Sequence, residues 1–158
     1  MKSTRRLALS LLCATSLSAA LVAASPAVAV QPLQPRDPAC GAADQDYNGT
    51  FAGTFDKAPG DTIAVAFSAP DSVTTDWVVE GWKGHGSGTF ELIANGVKWN
   101  NSNSVSGPAT GVDTETYRST NVTCAAGTSE VETINGEVFA PTATGGTVTY
   151  AFTVTRRS

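Results

Sequence analysis

Two glutamates, Glu80 and Glu91, are the residues of this chain whose spacing is compatible with acid–base chemistry. The glycine-rich stretch 83–86 has the composition of a four-residue hairpin loop, and a hairpin turning there makes these two glutamates diagonal neighbours on the outer face of a sheet. Their β-carbons would then lie roughly 7 Å apart. Retaining glycosidases hold two carboxyl groups about 5–5.5 Å apart. A glycoside hydrolase is therefore one hypothesis, and two acidic residues on a solvated sheet face are the simpler one.

Trp82 falls on the same predicted outer face, beside the glycine-rich turn that contains His85. An exposed tryptophan flanked by polar side chains is a common contact for a sugar ring or a partner protein. We therefore predict a ligand-binding face made of Trp82, Glu80, Glu91 and His85. The competing interpretation is that Trp82 is covered, or faces the core because the strand register differs.

The remaining inventory of reactive residues argues against an enzyme. His85 is the one histidine, so a Ser-His-Asp site would depend on a side chain in a predicted loop with no rigid support. A zinc site needs three or four Cys, His or carboxylate ligands, and the sequence has no such set. The spacings of a phosphate-binding loop and of an EF-hand do not occur either. We predict no catalytic residue, no metal and no cofactor.

The N-terminus has the three parts of an export signal. Basic residues at positions 2, 5 and 6 precede an apolar stretch from residue 7 to about 24, which ends at the small-x-small site Ala27-Val28-Ala29. This order is typical of a signal peptide, and no basic stop-transfer cluster follows. We predict a signal peptide over 1–29, a flexible leader over 30–46, and a secreted, extracellular domain over 47–158.

The charge balance excludes two classes of partner. The chain has 10 basic and 14 acidic residues, a net charge of −4, and three of the basic residues leave with the signal. An acidic domain is repelled by nucleic acid and by anionic lipid. We therefore expect no nucleic-acid partner, and no membrane contact after signal cleavage.

Of the three cysteines, one lies in the predicted signal, which leaves Cys40 and Cys124. An even pair in an oxidising compartment forms a disulfide by default. The two do not have the Cys-x-x-Cys spacing of a redox pair, so we predict a structural bridge.

The elements that must position these residues are strands. Large apolar side chains alternate with small or polar ones over 63–67 and, most clearly, over 148–154, and this period of two indicates half-buried strands. A two-residue turn at Asn95-Gly96 predicts the pair Leu92–Trp99, residues 102–114 read as an irregular loop, and 129–139 as a bulged continuous strand.

About eight antiparallel strands with short links favour a small up-and-down β-barrel, with a two-sheet β-sandwich as the alternative. The sequence thus predicts a secreted, non-enzymatic protein that binds a carbohydrate or small ligand. A protein-binding module that inhibits a secreted hydrolase through the 102–114 loop is the second hypothesis, and the glycoside hydrolase is the third.

Overall fold

The computed structural model describes residues 39–57, 59–107, 110–142 and 144–158, so the predicted signal peptide and residues 30–38 lie outside the described residues. A 3₁₀ helix, Asp44–Tyr47, precedes eight strands: β1 (Gly49–Phe55), β2 (Thr62–Ser68), β3 (Ser72–Val79), β4 (Trp82–Ile93), β5 (Gly96–Ser106), β6 (Thr110–Cys124), β7 (Val131–Pro141) and β8 (Thr147–Arg156). No helix in the described ranges is long and apolar enough to cross a membrane.

Each strand pairs antiparallel with the next, and β8 pairs with β1. The predicted eight-stranded up-and-down barrel is therefore confirmed, and the sandwich alternative is wrong. Buried and exposed residues alternate along β2 and β3, as the period-two pattern requires. The interior holds the large apolar side chains: Phe51, Phe55, Ile63, Val65, Phe67, Val73, Trp77, Val79, Phe90, Val97, Trp99, Tyr117, Ile134, Val138, Phe152 and Val154.

One end of the barrel is closed by residues 40–48, which we call the plug. Its 3₁₀ helix carries Tyr47 into the interior, where the ring is fully buried and packs edge-on against Phe67 at 5.9 Å. The predicted disulfide is present and joins Cys40 to Cys124, across a sequence separation of 84 residues. Burial, together with the nearby carboxylate of Asp46, raises the pKa of Tyr47 to about 12.

Arg156, near the end of β8, fastens the plug to the barrel wall. Its guanidinium donates to the backbone carbonyls of Val131 and Asp46, at 2.7 and 2.8 Å. The same group lies 4.7 Å from the centre of the Phe51 ring. Arg156 therefore links the plug to β8, β7 and β1, and the disulfide links it to β6.

The predicted hairpin loop at 83–86 is wrong. The chain turns at Glu80 and Gly81, which both have positive φ, and Val79 pairs with Trp82. Positive φ at both central residues is characteristic of a type I′ turn. Because the turn lies at 80–81 and not at 83–86, Trp82 is the first residue of β4 and not the last residue of the strand before it. Its side chain therefore points into the barrel and not outwards.

Glycines 84, 86 and 88 are typical of a loop, but they lie in β4. They are on the inner face of the barrel and alternate with residues exposed on its outer face. A Cβ at Gly84 would lie 2.2 Å from the Trp77 ring, and one at Gly86 would lie 2.0 Å from Oδ1 of Asn103. Side chains from β3 and β5 therefore lie over the β4 backbone. The glycines are required by this close packing.

Three other local predictions have different outcomes. A hairpin exists there, but its two turn residues are Ala94 and Asn95 and not Asn95 and Gly96: Ile93 pairs with Gly96, so Trp99 faces Phe90 and not Leu92. The predicted irregular segment 102–114 is wrong, because its described residues belong mainly to β5 and β6. The predicted continuous strand is confirmed as β7, with irregular pairing against β6.

Candidate functional site

The end of the barrel opposite the plug is open and contains a cavity of about 290 Å³, which we call the mouth cavity. Strand β1 begins beside the plug and ends at Phe55, which lines this cavity. Its walls include five aromatic and three acidic side chains: Phe55, Trp77, Trp82, Tyr117, Tyr150, Glu80, Asp113 and Glu115. A concave, mostly apolar pocket with a few polar groups is the usual form of a small-molecule site.

Asp113 and Glu115 project into the mouth cavity from β6, where their separation of two residues places them on one face of the strand. Glu115 is only 4% exposed. Burial raises the pKa of its carboxyl above the ordinary value, and the nearby Asp113 carboxylate adds to the rise. Burial also raises the pKa of Asp113. The cavity therefore holds two carboxyl groups whose negative charge is poorly solvated.

Tyr117 forms the floor beneath Glu115. Its hydroxyl donates a hydrogen bond to the Glu115 carboxylate, and its ring stacks on Trp99 with centroids 4.9 Å apart and planes 2° from parallel. The Trp99 indole donates to the hydroxyl of Thr75 at 3.2 Å. Burial, followed by the charge of Glu115, raises the pKa of Tyr117 well above 10. The phenol thus stays protonated and remains a donor to the carboxylate.

Several buried polar atoms near Glu115 have no hydrogen-bond partner. They are the indole N–H of Trp77 and both side-chain polar atoms of Asn101 and of Asn103. Trp77 and Asn103 lie close enough to the Glu115 carboxylate to oppose part of the rise in its pKa, although neither makes a hydrogen bond of ordinary geometry. An unpaired buried polar group costs about 1–3 kcal/mol. Of these three residues only Trp77 lines the mouth cavity, so its indole N–H is the unpaired group that a bound molecule could reach.

The rim of the mouth cavity is formed by Trp82, Glu80 and Tyr150. The Trp82 indole lies flat against Gly107, whose Cβ, if present, would be 2.8 Å from the ring. The Lys57 ammonium pairs with Glu80 at 3.0 Å and lies 4.7 Å from the centre of the Tyr150 ring. The hydrogen bonds to Glu80 and Tyr150 raise the pKa of Lys57.

The structure separates the four residues of the predicted ligand-binding face. Glu80 and Trp82 line the mouth cavity. Glu91 lies near the other end of β4, roughly 30 Å from Trp82 along the strand at about 3.3 Å per residue. There it pairs with Lys98 at 3.1 Å. The predicted neighbourhood of Glu80 and Glu91 is therefore wrong, because it depended on the misplaced turn.

His85 lies on the outer wall, within a shallow groove of about 410 Å³. Asp76, His85 and Ser104 stand directly opposite one another on three adjacent strands. Nδ1 of His85 is 2.6 Å from Oδ1 of Asp76, both side chains are well exposed, and no hydrogen bond joins the described side chains of His85 and Ser104. Backbone N–H groups in such a sheet are committed to its ladders. The row can orient an imidazole, but it offers no backbone oxyanion hole.

Sequence reasoning missed Asp113, Glu115, Trp77 and Tyr150 as site residues. The alternation Asp-x-Glu-x-Tyr over 113–117 was the available signal, since it indicates a strand that presents acidic and aromatic side chains on one face. The first two residues of this motif, 113 and 114, fall in the stretch that we predict to be an irregular loop.

No group of three His, Cys, Asp or Glu side chains in the described part of the chain is placed to hold a metal ion. Comparison with protein-family models and with curated protein sequences finds no match.

Proposed function

We propose that this is a secreted, non-enzymatic protein that binds a small ligand in the mouth cavity. The observation that carries the proposal is the buried Glu115 carboxylate at the base of an open, aromatic-lined cavity. Leaving a poorly solvated charge and the unpartnered Trp77 indole N–H there reduces stability. A bound ligand that satisfies those groups would offset this cost.

Secretion is supported by the signal-like N-terminus and by the Cys40–Cys124 disulfide, a bond that persists in oxidising compartments. We expect the secreted chain to begin near Val30. Its intact mass would then be about 2 Da below that of the reduced form, because closing the disulfide removes two hydrogens.

A binding role is preferred to glycoside hydrolysis because of how the carboxylates are placed. Asp113 and Glu115 come from the same face of one strand and approach a ligand from the same side. Glycosidases need their two carboxyl groups on opposite sides of the scissile bond. The protein-inhibitor hypothesis loses its proposed contact, since the described residues of 102–114 pair mainly as strands.

The test is a binding screen of the secreted protein against small aromatic alcohols, aromatic amines and monosaccharides, read by calorimetry. Binding should be weakened at least tenfold by Trp82→Ala, which removes an aromatic wall of the cavity. Leu92→Ala, which removes an exposed apolar side chain at the plugged end, should leave affinity unchanged. Ligands bound equally well by both variants, or lost on His85→Ala at the outer groove, would contradict the mouth cavity as the site.

A further inference from the structure

The charged side chains that line the mouth cavity are all acidic. Glu80 lies at the rim, Asp113 and Glu115 lie deeper, and no Lys, Arg or His lines the described walls. Charges interact more strongly in a poorly solvated pocket than in water. Such a cavity attracts cations and repels anions before any specific contact forms.

The same walls offer aromatic faces to a cation. Cations bind favourably over the faces of Trp, Tyr and Phe rings within about 6 Å of the ring centre. Trp77, Trp82 and Tyr150 contribute rings to the cavity, with Phe55 and Tyr117 beside them.

The rim already holds an organic ammonium group. Nζ of Lys57 lies 4.7 Å from the centre of the Tyr150 ring, 3.4 Å from its hydroxyl and 3.0 Å from the Glu80 carboxylate. One carboxylate and one aromatic face together therefore bind an ammonium at this rim. Deeper in the cavity, Glu115 and the neighbouring tryptophans also offer a carboxylate and aromatic faces, and no basic side chain lines the described walls.

A second observation is the acceptor capacity of the two carboxylates inside the cavity. Glu115 is 4% exposed and receives a hydrogen bond from Tyr117, which leaves it further acceptor capacity, and the Asp113 carboxylate lines the cavity beside it. An ammonium group carries up to three donors and no acceptor. These acceptors match it in number and in charge.

We propose that the ligand of the mouth cavity is a small organic cation, whose ammonium group binds between Glu115 and Asp113 while its apolar body packs against Trp82 and Tyr150. This inference rests on the proposed function. A volume of about 290 Å³ holds about ten non-hydrogen atoms at roughly 30 Å³ each. A phenyl ring carrying a short alkylammonium chain has this size.

The experiment compares two probes of nearly equal size and shape, phenethylamine and 2-phenylethanol, on the disulfide-bonded secreted protein at pH 7.5 and low salt. We expect phenethylamine to bind at least tenfold more tightly. Glu115→Gln should weaken phenethylamine at least tenfold and leave 2-phenylethanol unchanged. Glu91→Gln removes an equal charge outside the cavity and is the matched control, for which we expect no change in either affinity.

A variant of opposite sign strengthens the test. Lys57→Met removes the resident ammonium and frees both Glu80 and the Tyr150 face, so phenethylamine should bind a few-fold more tightly. A purely structural role for Lys57 would give no change or a loss. Near-ultraviolet circular dichroism checks that each variant keeps the native aromatic packing.

Each contrary result has a distinct meaning. Equal affinity for the two probes, with both lost in Trp82→Ala, overturns the cation inference and leaves the proposed function standing. An equal loss of phenethylamine binding in Glu91→Gln overturns it too, since overall charge would then be responsible. Failure of both probes and of every monosaccharide to bind overturns the inference and the proposed function together.

Discussion

Replacing Trp99 by alanine should destabilise the barrel far more than replacing Trp82. Trp99 is 0% exposed, stacks on Tyr117, and packs edge-on against Phe67 and Phe152 at 5.2 and 5.7 Å. Its removal leaves a cavity in the most aromatic layer of the interior. Trp82 is partly buried and faces the open mouth cavity, so its removal enlarges a space that is already there.

The magnitudes follow from area. A buried indole removes about 200 Å² from water, or about 5 kcal/mol at 25 cal/mol/Å², and Trp→Ala changes in cores cost about 3–5 kcal/mol. We therefore expect about 4–5 kcal/mol for Trp99→Ala. For Trp82→Ala we expect about 1–2 kcal/mol, because only part of the ring is buried. Against a total stability of about 5–15 kcal/mol, the first change is severe and the second is tolerated.

Equilibrium unfolding in urea measures both values, with tryptophan fluorescence and far-ultraviolet circular dichroism as independent probes. If Trp99→Ala does not fold, Trp99→Phe replaces it and should lose a smaller part of the same energy. A Trp82→Ala variant as unstable as Trp99→Ala would mean that Trp82 is a core residue. The open mouth would then be wrong.

Three further perturbations address the glycines, the buried acid and the disulfide. Gly84→Ala should cost about 1–3 kcal/mol because the added Cβ would lie 2.2 Å from the Trp77 indole. Gly111→Ala, whose Cβ would have nothing within 4 Å, should be nearly neutral. Equal losses of stability in denaturant unfolding would contradict the packing. Glu115→Gln should raise the free energy of unfolding at pH 7, because burial disfavours the charged Glu115 carboxylate in the folded protein and so raises its pKa. This gain should vanish below about pH 4.5, where the carboxyl is protonated in both the folded and the unfolded protein. Unfolding curves across pH check this, and a gain that persists in acid would contradict it. Replacing Cys40 and Cys124 by serine should cost about 2–5 kcal/mol, measured as a lower Tm; an unchanged Tm would contradict a structural role.

The strands and their closure were predictable because the barrel obeys a simple rule. Inward positions of β2, β3 and β8 are mostly large and apolar and alternate with mostly small or polar residues, and short links require sequential neighbours to pair. The disulfide was predictable from the even pair of cysteines.

The β3–β4 hairpin could not be read correctly, since the inward positions of β4 are glycines and not apolar residues. Gly84 and Gly86 give no hydrophobic signal, and the reason for them is Trp77 and Asn103 on the neighbouring strands. A contact between strands is invisible in the local pattern of one of them. The error in predicting this one turn placed Trp82 on the wrong side of the sheet.

The mouth cavity was hidden for a related reason. Asp113 and Glu115 are polar residues on an inner face, so they break the apolar alternation that identifies a strand. A strand with polar residues on its inner face therefore resembles a loop when strands are predicted from hydrophobic pattern alone. Such exceptions are expected at binding sites, where local rules give way to function.

The most direct measurement of the central claim uses the three indole N–H resonances in ¹⁵N-labelled protein during titration with phenethylamine. Trp77 and Trp82 line the mouth cavity, whereas Trp99 lies below its floor, bound to Thr75. We expect saturable shifts of the Trp77 and Trp82 resonances, with the Trp99 resonance nearly unmoved, and in Glu115→Gln the shifts should need at least tenfold more phenethylamine to saturate. Shifts confined to Trp99, or shifts of Trp77 and Trp82 that persist unchanged in Glu115→Gln, would contradict it.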